Sequence, residues 1–324
     1  MDSINRWLIE GPAWIRYRVF LDLMKLTSDD NEIRSMKKEI FSNPAIMQII
    51  KEVKDWEGDV LKRHNDANHP IHKLCFLADI GFSIEDPEIK GILESVLSHS
   101  SPEGPPQILS NYPTHFGGSG KDEWLWVLCD APTSTYALIK MGYSEDARII
   151  NAVSYMKGLI REFGWPCAAT NALEGFRGPG KNDDPCPYAN LIMLKNLAAL
   201  DPNTPNKEAD IGIETLLSLW ENSREQKPFL FKMGTDFRKI KVPFIWYDIL
   251  HVTDVLSHYP QVWSDNRFLE MIKVIESKAD ENGRYKSESI WTKWKGWEFC
   301  QKREPSRWVT FCVLRMLSRN PNIN

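Results

Sequence analysis

The stretch PYANLIMLKNLAAL, residues 187–200, decides the fold. Its apolar side chains cover almost the whole circumference of a helix, which is typical of a helix buried on every side. It begins with proline, which suits the first turn of a helix because the N–H that proline lacks would have no partner there. The stretch therefore predicts a buried helix that begins at Pro187.

The same arrangement recurs along the chain at six prolines that lie 55 to 62 residues apart. Each is followed by a mostly apolar segment with helical spacing. More polar, amphipathic segments such as residues 145–160 and 266–280 lie between them. The pattern is that of stacked helix pairs, each of which needs its neighbours to cover its apolar face. The six prolines are Pro12, Pro70, Pro132, Pro187, Pro243 and Pro305.

Six buried helices alternating with amphipathic ones can form an open solenoid or close into an (α/α)6 toroid. We predict the toroid, with the proline-led helices inside, because these segments are too apolar to line an open concave surface. A length of 324 residues suggests two domains at about 150 residues per domain. The repeat instead predicts one all-α domain over residues 1–324, and no run of alternating β-branched residues indicates a sheet.

The charge balance and the apolar runs bear on partners and compartment. The net charge of −4 gives no electrostatic basis for binding nucleic acid. No stretch has the roughly 18 uncharged apolar residues of a spanning helix, and the N-terminus does not read as a signal peptide. Six cysteines spread over a long chain are typical of reduced thiols. We expect a cytoplasmic protein, for which peripheral contact with a membrane stays open.

In a toroid the N-termini of all inner helices gather at one mouth of a central cavity, where their partial positive charge favours anions. Residues close to the six prolines are therefore the candidate site. As catalytic carboxylates we consider Asp130, Asp184 and Asp248. Capping and mutual pairing of charges is the alternative explanation for each residue. The candidate substrate-binding residues are Arg16, Arg18, Trp246, Tyr247, Arg307 and Trp308.

Three cysteines are expected at this mouth. Cys129 and Cys186 precede the third and fourth proline-led segments. Cys167 ends the turn stretch Phe163-Gly164-Trp165-Pro166-Cys167. Together with Asp184, Asp130 or His115 they would supply the four ligands of a tetrahedral zinc ion. The alternative is that each is an ordinary buried thiol, since no Cys-x-x-Cys spacing is present.

Several stretches resemble the terpenoid cyclase and protein prenyltransferase superfamily of α/α toroids, and in particular prokaryotic squalene cyclase-like and prenyltransferase-like proteins. The resemblance covers nearly the whole chain and is more specific for fold than for activity. It implies cyclisation or prenyl transfer on a hydrophobic, isoprenoid or diphosphate-bearing substrate inside the cavity. The matching stretches are residues 7–8, 14–17, 142–143, 163–167, 243–248 and 305–310.

Two motifs of that superfamily can be compared with this chain. Triterpene cyclases use Asp-x-Asp-Asp as a general acid; the nearest stretch, residues 181–184, reads Lys-Asn-Asp-Asp and so lacks the first acid. Protein prenyltransferases hold zinc with Asp-x-Cys and a later histidine. The resemblance implies that Asp184, Cys186 and His251 take these positions, although a proline separates the first two.

Three classes of function fit these observations. The first is an isoprenoid-processing enzyme that depends on zinc or on an acid. The second is a toroidal binding or scaffold protein without catalysis, which the incomplete acid motif favours. The third is carbohydrate processing, which needs two carboxylates flanking a cleft, for which Asp130, Asp184 and Asp248 are the candidates.

Overall fold

The computed structural model describes residues 3–27, 30–173, 176, 184–201, 206–225 and 233–322, and these are mostly helical. Residues 181–183 of the Lys-Asn-Asp-Asp stretch lie outside the described residues. The helices within the described ranges are α1 (Ser3–Ile9), α2 (Ala13–Arg18), α3 (Asn31–Phe41), α4 (Pro44–Lys54), α5 (Pro70–Asp79), α6 (Ile89–Ser98), α7 (Ala131–Leu138), α8 (Ala147–Gly158), α9 (Pro187–Leu200), α10 (Lys207–Glu221), α11 (Ile249–Leu256), α12 (Asn266–Glu276) and α13 (Arg307–Leu317).

Proline marks the start of a helix in five of the six predicted places. Pro70 and Pro187 are the first residues of α5 and α9, Pro132 lies in the first turn of α7, and Pro12 directly precedes α2. Helix α13 begins two residues after Pro305, where the Ser306 hydroxyl accepts a hydrogen bond from the N–H of Val309 at 3.1 Å. The missing N–H of proline thus falls where a helix has no acceptor for it.

The prediction that a helix begins at Pro243 is wrong. Helix α11 begins at Ile249, because the carboxylate of Asp248 accepts a hydrogen bond from the N–H of His251 at 3.0 Å and so caps the first turn there. Residues 243–247 form an irregular segment before the cap. His251 consequently lies in the first turn of its helix, not two turns inside it.

Helix burial separates two classes of helix, as the sequence pattern indicates. All ten residues of α5 and all eight of α7 are buried, so these helices are covered on every side. Helices α3 and α12 bury only the residues of one face. The mostly helical class predicted from the sequence is therefore correct.

The chain divides into two compact units, Met1–Glu52 with Thr235–Asn324, and Val53–Gly234. We call them unit 1 and unit 2. In unit 2, α7 packs between α5 and α9, and α8 and α10 pack against these helices. In unit 1, α13 packs against both α2 and α11. Successive proline-led helices are thus neighbours within each unit.

The long segment between α6 and α7 contains a small sheet that the sequence pattern does not predict. Strands β1 (Ile108–Asn111) and β2 (Asp122–Leu125) pair antiparallel, with Ile108 opposite Leu125 and Asn111 opposite Asp122. Each strand has only four residues and neither carries β-branched alternation, so the usual signal for a strand is missing. The all-α prediction is correct for the helices and incomplete for this segment.

Candidate functional site

The structure brings the three predicted cysteines of unit 2 together. The Sγ atoms of Cys129 and Cys186 are 3.6 Å apart, and Cys167 lies close enough to both thiols to shift their pKa values. Cys129 and Cys186 are buried and Cys167 is half-buried. All six cysteines of the chain are free thiols. We call Cys129, Cys167 and Cys186 the thiol cluster.

Helix and turn structure position each member of the thiol cluster. Cys186 caps α9, and its sulfur accepts the N–H of Ala189 at 3.5 Å. Cys129 lies two residues before the start of α7, and Cys167 follows a tight turn at Gly164, which has φ +100°. A Cβ at Gly164 would lie only 2.5 Å from side-chain atoms of Asn190 and Thr215, so only glycine fits this turn.

Asn190 joins the turn to the first turn of α9. Its side-chain oxygen accepts the N–H of Trp165 at 3.0 Å, and its amide donates to the carbonyls of Trp165 and Cys186 at 2.9 and 2.8 Å. The residue is completely buried, so these bonds are shielded from water. Sequence reasoning missed Asn190; the available signal was a polar residue in the first turn of a mostly apolar helix.

The thiols of the cluster have different proton affinities. Hydrogen bonds from Cys129 and Cys167 hold the pKa of Cys186 well below the usual value, and the Ala189 N–H and the nearby His64 act in the same direction. Hydrogen bonding to the other two thiols, together with burial, raises the pKa of Cys129 well above the usual cysteine value. Of Cys129 and Cys186, Cys186 is therefore the thiol that loses its proton more readily.

Next to the cluster, a histidine and a carboxylate form a hydrogen-bonded pair that sequence reasoning missed. The Nδ1 of His64 lies 2.9 and 3.0 Å from the two carboxylate oxygens of Asp130, and the Tyr112 hydroxyl donates to the same carboxylate at 3.1 Å. Burial lowers the pKa of His64, but the charge and hydrogen bond of Asp130, with Cys186, raise it overall. His64 lies in the turn before α5, where no periodic pattern marks it.

The second candidate site, in unit 1, is Asp248. Its side chain is buried, with one oxygen bonded to the N–H of His251. The other oxygen, Oδ2, has no hydrogen-bond partner among the described residues. Burial raises the pKa of Asp248 to about 7, although Lys241 acts against this rise. A carboxyl group of this kind holds its proton up to neutral pH.

Aromatic rings surround the start of α11. The ring of Tyr247 lies 5.0 Å from that of Phe237, and the imidazole of His251 stacks on Phe244 at 5.0 Å. The Nδ1–H of His251 donates to the carbonyl of Trp246 at 2.8 Å. Trp246 is half-buried and Tyr247 is buried. Two predicted substrate-binding residues thus directly precede Asp248.

The predicted arginines are engaged with neighbours. Arg16 pairs with Glu39, and Arg18 binds both carboxylate oxygens of Asp22 at 2.7 and 2.8 Å. The guanidinium of Arg307 lies 4.7 Å from the centre of the Trp7 ring, and its Nε donates to the carbonyl of Trp7.

The remaining predicted residues lie in different settings. Trp308 is 2% exposed and packs edge-on against Trp14 at 5.0 Å, which makes it part of the core of unit 1. Asp184 is exposed. His251 belongs to unit 1, whereas the thiol cluster belongs to unit 2.

Among the described residues, neither a ready metal-binding group nor a helix able to span a membrane is present. As the side chains stand in the described ranges, no group of three or more His, Cys, Asp and Glu residues is placed to hold a metal ion. Among the same residues no helix combines the length and apolar character needed to cross a bilayer.

Comparison with known proteins adds no relative. No family model matches the chain, and no curated protein matches it.

Proposed function

We propose that the protein is an enzyme that processes a hydrophobic, isoprenoid-like substrate and that Asp248 is its general acid. The supporting observation is a buried carboxyl group with one oxygen lacking a hydrogen-bond partner among the described residues, beside aromatic side chains. A carboxyl group in an apolar place that is still protonated near neutral pH has the proton that a general acid must supply.

The reaction proposed is acid-initiated isomerisation or cyclisation. The Asp248 O–H would transfer its proton to one alkene carbon, leaving a carbocation on the more substituted carbon and a carboxylate on the enzyme. A second alkene of the substrate would attack the cation to close a ring, and loss of a proton to water would end the reaction. Lys241 would stabilise the new carboxylate, and the faces of Trp246 and Tyr247 would stabilise the cation.

The other candidate carboxylates suit this role less well. Asp130 already accepts hydrogen bonds from His64 and Tyr112, and Asp184 is exposed. Asp254, also on α11, is buried against Arg315 and Arg319 at 3.1 and 2.9 Å, and their charges hold its pKa far below the usual range. Asp248 caps α11 and Asp254 lies within it, and their pKa values are shifted in opposite directions. We therefore assign the role of acid to Asp248 and a structural role to Asp254.

The proposed architecture is the (α/α)6 toroid as one domain, with the five proline-led helices and α11 on the inside. The adjacency of α5, α7 and α9 in unit 2 and of α2 and α13 in unit 1 supports this arrangement. The pairing of Arg16 and Arg18 with carboxylates favours an uncharged isoprenoid over a diphosphate.

A product assay tests the proposal. Purified protein is incubated with squalene in detergent micelles or with farnesyl diphosphate, and products are analysed by mass spectrometry. We expect conversion of squalene, a loss of about 100-fold or more in Asp248→Asn, and a decline in rate above about pH 7 as the acid ionises.

The matched control is Asp265→Asn, since Asp265 caps α12 in the same unit through a hydrogen bond from the N–H of Arg267. This variant should keep the wild-type rate. Full activity in Asp248→Asn would exclude Asp248 as the acid. A folded wild-type protein that converts neither substrate would favour the non-catalytic binding protein.

A further inference from the structure

The thiol cluster and the His64–Asp130 pair together have the composition of a metal site. Three cysteines come from three separate segments of unit 2, and a histidine held by a carboxylate adjoins them. We propose that Cys129, Cys167, Cys186 and His64 bind one zinc ion, with Asp130 as a positioning residue. This site is independent of Asp248, and its test needs no substrate.

The spacing of the sulfurs suits zinc. Two thiolates bound tetrahedrally at about 2.3 Å from zinc lie about 3.8 Å apart. The Sγ atoms of Cys129 and Cys186 are already 3.6 Å apart. Cys167 lies near both thiols, and the proposed site requires its sulfur to turn toward the same point. Because the side chains do not yet enclose a metal position, binding includes this rotation.

The orientation of His64 suits the fourth position. A ring nitrogen beside both oxygens of a carboxylate carries the hydrogen, so Nδ1–H donates to Asp130 and Nε2 is the nitrogen with the lone pair. A histidine that binds a metal through one nitrogen commonly donates its other N–H to a carboxylate. The Nε2–H of the neighbouring His72 donates to the carbonyl of His64 at 2.8 Å.

The electrostatic setting supports a thiolate ligand. Cys186 caps α9, a buried helix of 14 residues, so its sulfur faces the partial positive charge of the helix N-terminus. His64 and Cys167 are half-buried, which provides access for the ion from solvent. On binding, Zn²⁺ replaces the thiol protons, which pass to the buffer, so no oxidant or reductant is involved.

This ligand set differs from the one that the superfamily resemblance implies. Asp184 is exposed, and His251 of unit 1 bonds through Nδ1 to the carbonyl of Trp246. Four protein ligands leave no open position, so the proposed zinc is structural: it ties the turn at Cys167 to the starts of α7 and α9. It does not activate a substrate.

Zinc content is the first test. The full chain is expressed in zinc-supplemented medium, purified without a histidine tag and analysed for metals. We expect stoichiometric zinc, at least a tenfold loss in Cys186→Ser and Cys167→Ser, and no loss in Cys75→Ala. Cys75 is the matched control, because it is a buried cysteine of the same unit whose thiol donates to the carbonyl of Thr133.

Cobalt substitution tests the ligands without relying on stability. Co²⁺ bound to three thiolates and an imidazole absorbs visible light strongly, and His64→Ala should change that spectrum. Asp130→Asn should keep the spectrum and weaken zinc affinity by about 10- to 100-fold, as expected for a residue that acts through the ligand.

Three results would overturn the proposal. The first is a folded protein that takes up neither zinc nor cobalt. The second is a His64→Ala variant with unchanged cobalt spectrum and zinc affinity, which would remove His64 from the site. The third is purified protein without metal in which mass spectrometry finds a Cys129–Cys186 disulfide, which would make the cluster a redox pair.

Discussion

Asp248→Asn is expected to make the folded protein more stable at pH 8 by up to about 4 kcal/mol, because the wild-type carboxyl must ionise in a buried position. The pKa is raised to about 7 in the folded state from a usual value of 3.8. A shift of about three pKa units corresponds to about 4 kcal/mol. Asparagine keeps the cap on α11, since its side-chain oxygen accepts the N–H of His251 as the carboxylate does.

The sign of the pH dependence follows from the direction of the shift. When a folded-state pKa is raised, the folded protein binds more protons than the unfolded chain between the two pKa values. The wild-type protein therefore loses stability as pH rises from about 4 to about 7, and the loss is constant above that range. The advantage of Asp248→Asn should grow over the same interval, measured as the difference in unfolding free energy by urea titration at each pH.

Asp265→Asn provides a control in which the substitution should change stability with pH in the opposite direction. The hydrogen bond from Arg267 lowers the pKa of Asp265, so this carboxylate stabilises the fold above its unfolded pKa and loses that effect as pH falls. We expect Asp265→Asn to be less stable than wild type at pH 7 and to match it only at low pH. Equal pH profiles for Asp248→Asn and wild type would show that Asp248 is not a buried acid.

Asn190→Ala is expected to lower the free energy of unfolding by about 3 kcal/mol or more. The substitution leaves the buried N–H of Trp165 without its acceptor and removes two hydrogen bonds to the carbonyls of Trp165 and Cys186. A buried polar group left without a partner costs about 1–3 kcal/mol, and each further hydrogen bond contributes about 1 kcal/mol. Equilibrium unfolding in urea measures the loss.

The matched control is Asn196→Ala, on the same helix and equally buried. Asn196 donates to the carbonyls of Pro132 and Ile192, but its side-chain oxygen has no hydrogen-bond partner among the described residues. The substitution by alanine also removes this unpaired oxygen, so we expect the free energy of unfolding to fall by only about 1 kcal/mol. Similar costs for the two variants would contradict the role assigned to Asn190.

A second measurement connects Asn190 with the thiol cluster. Asn190 holds the turn that precedes Cys167 against the start of α9, where Cys186 lies. In Asn190→Ala we expect the cluster cysteines to react faster with a thiol reagent, whereas Asn196→Ala should react at the wild-type rate. Peptide mapping by mass spectrometry identifies which cysteines react.

Much of the helical arrangement was readable from prolines and apolar spacing, since both act within a few residues. The start of α11 could not be predicted in this way. The hydrogen bond by which Asp248 caps the helix fixes its first turn, and Pro243 does not begin it. Strands β1 and β2 are too short to show a period and depend on pairing with each other.

The candidate sites were predictable only in part. The grouping of Cys129, Cys167 and Cys186 follows from their common position near helix starts, which local sequence reveals. His64 and Asn190 take their roles from contacts with residues far away in the chain, such as Asp130 and Trp165. Arg16 and Trp308 were expected to bind substrate, but the carboxylate beside Arg16 and the rings around Trp308 could not be read from spacing.

The complete burial of α5 determines how this helix tolerates amino-acid substitutions. In a scan that replaces each position with every other amino acid, α12 should show intolerant positions every three or four residues, at the face that contains Phe268, Met271 and Ile275. Across α5 the intolerance should be continuous from Pro70 to Asp79, with no helical period. Neutral drift should therefore erase sequence similarity among descendants of this chain fastest on α12 and slowest on α5.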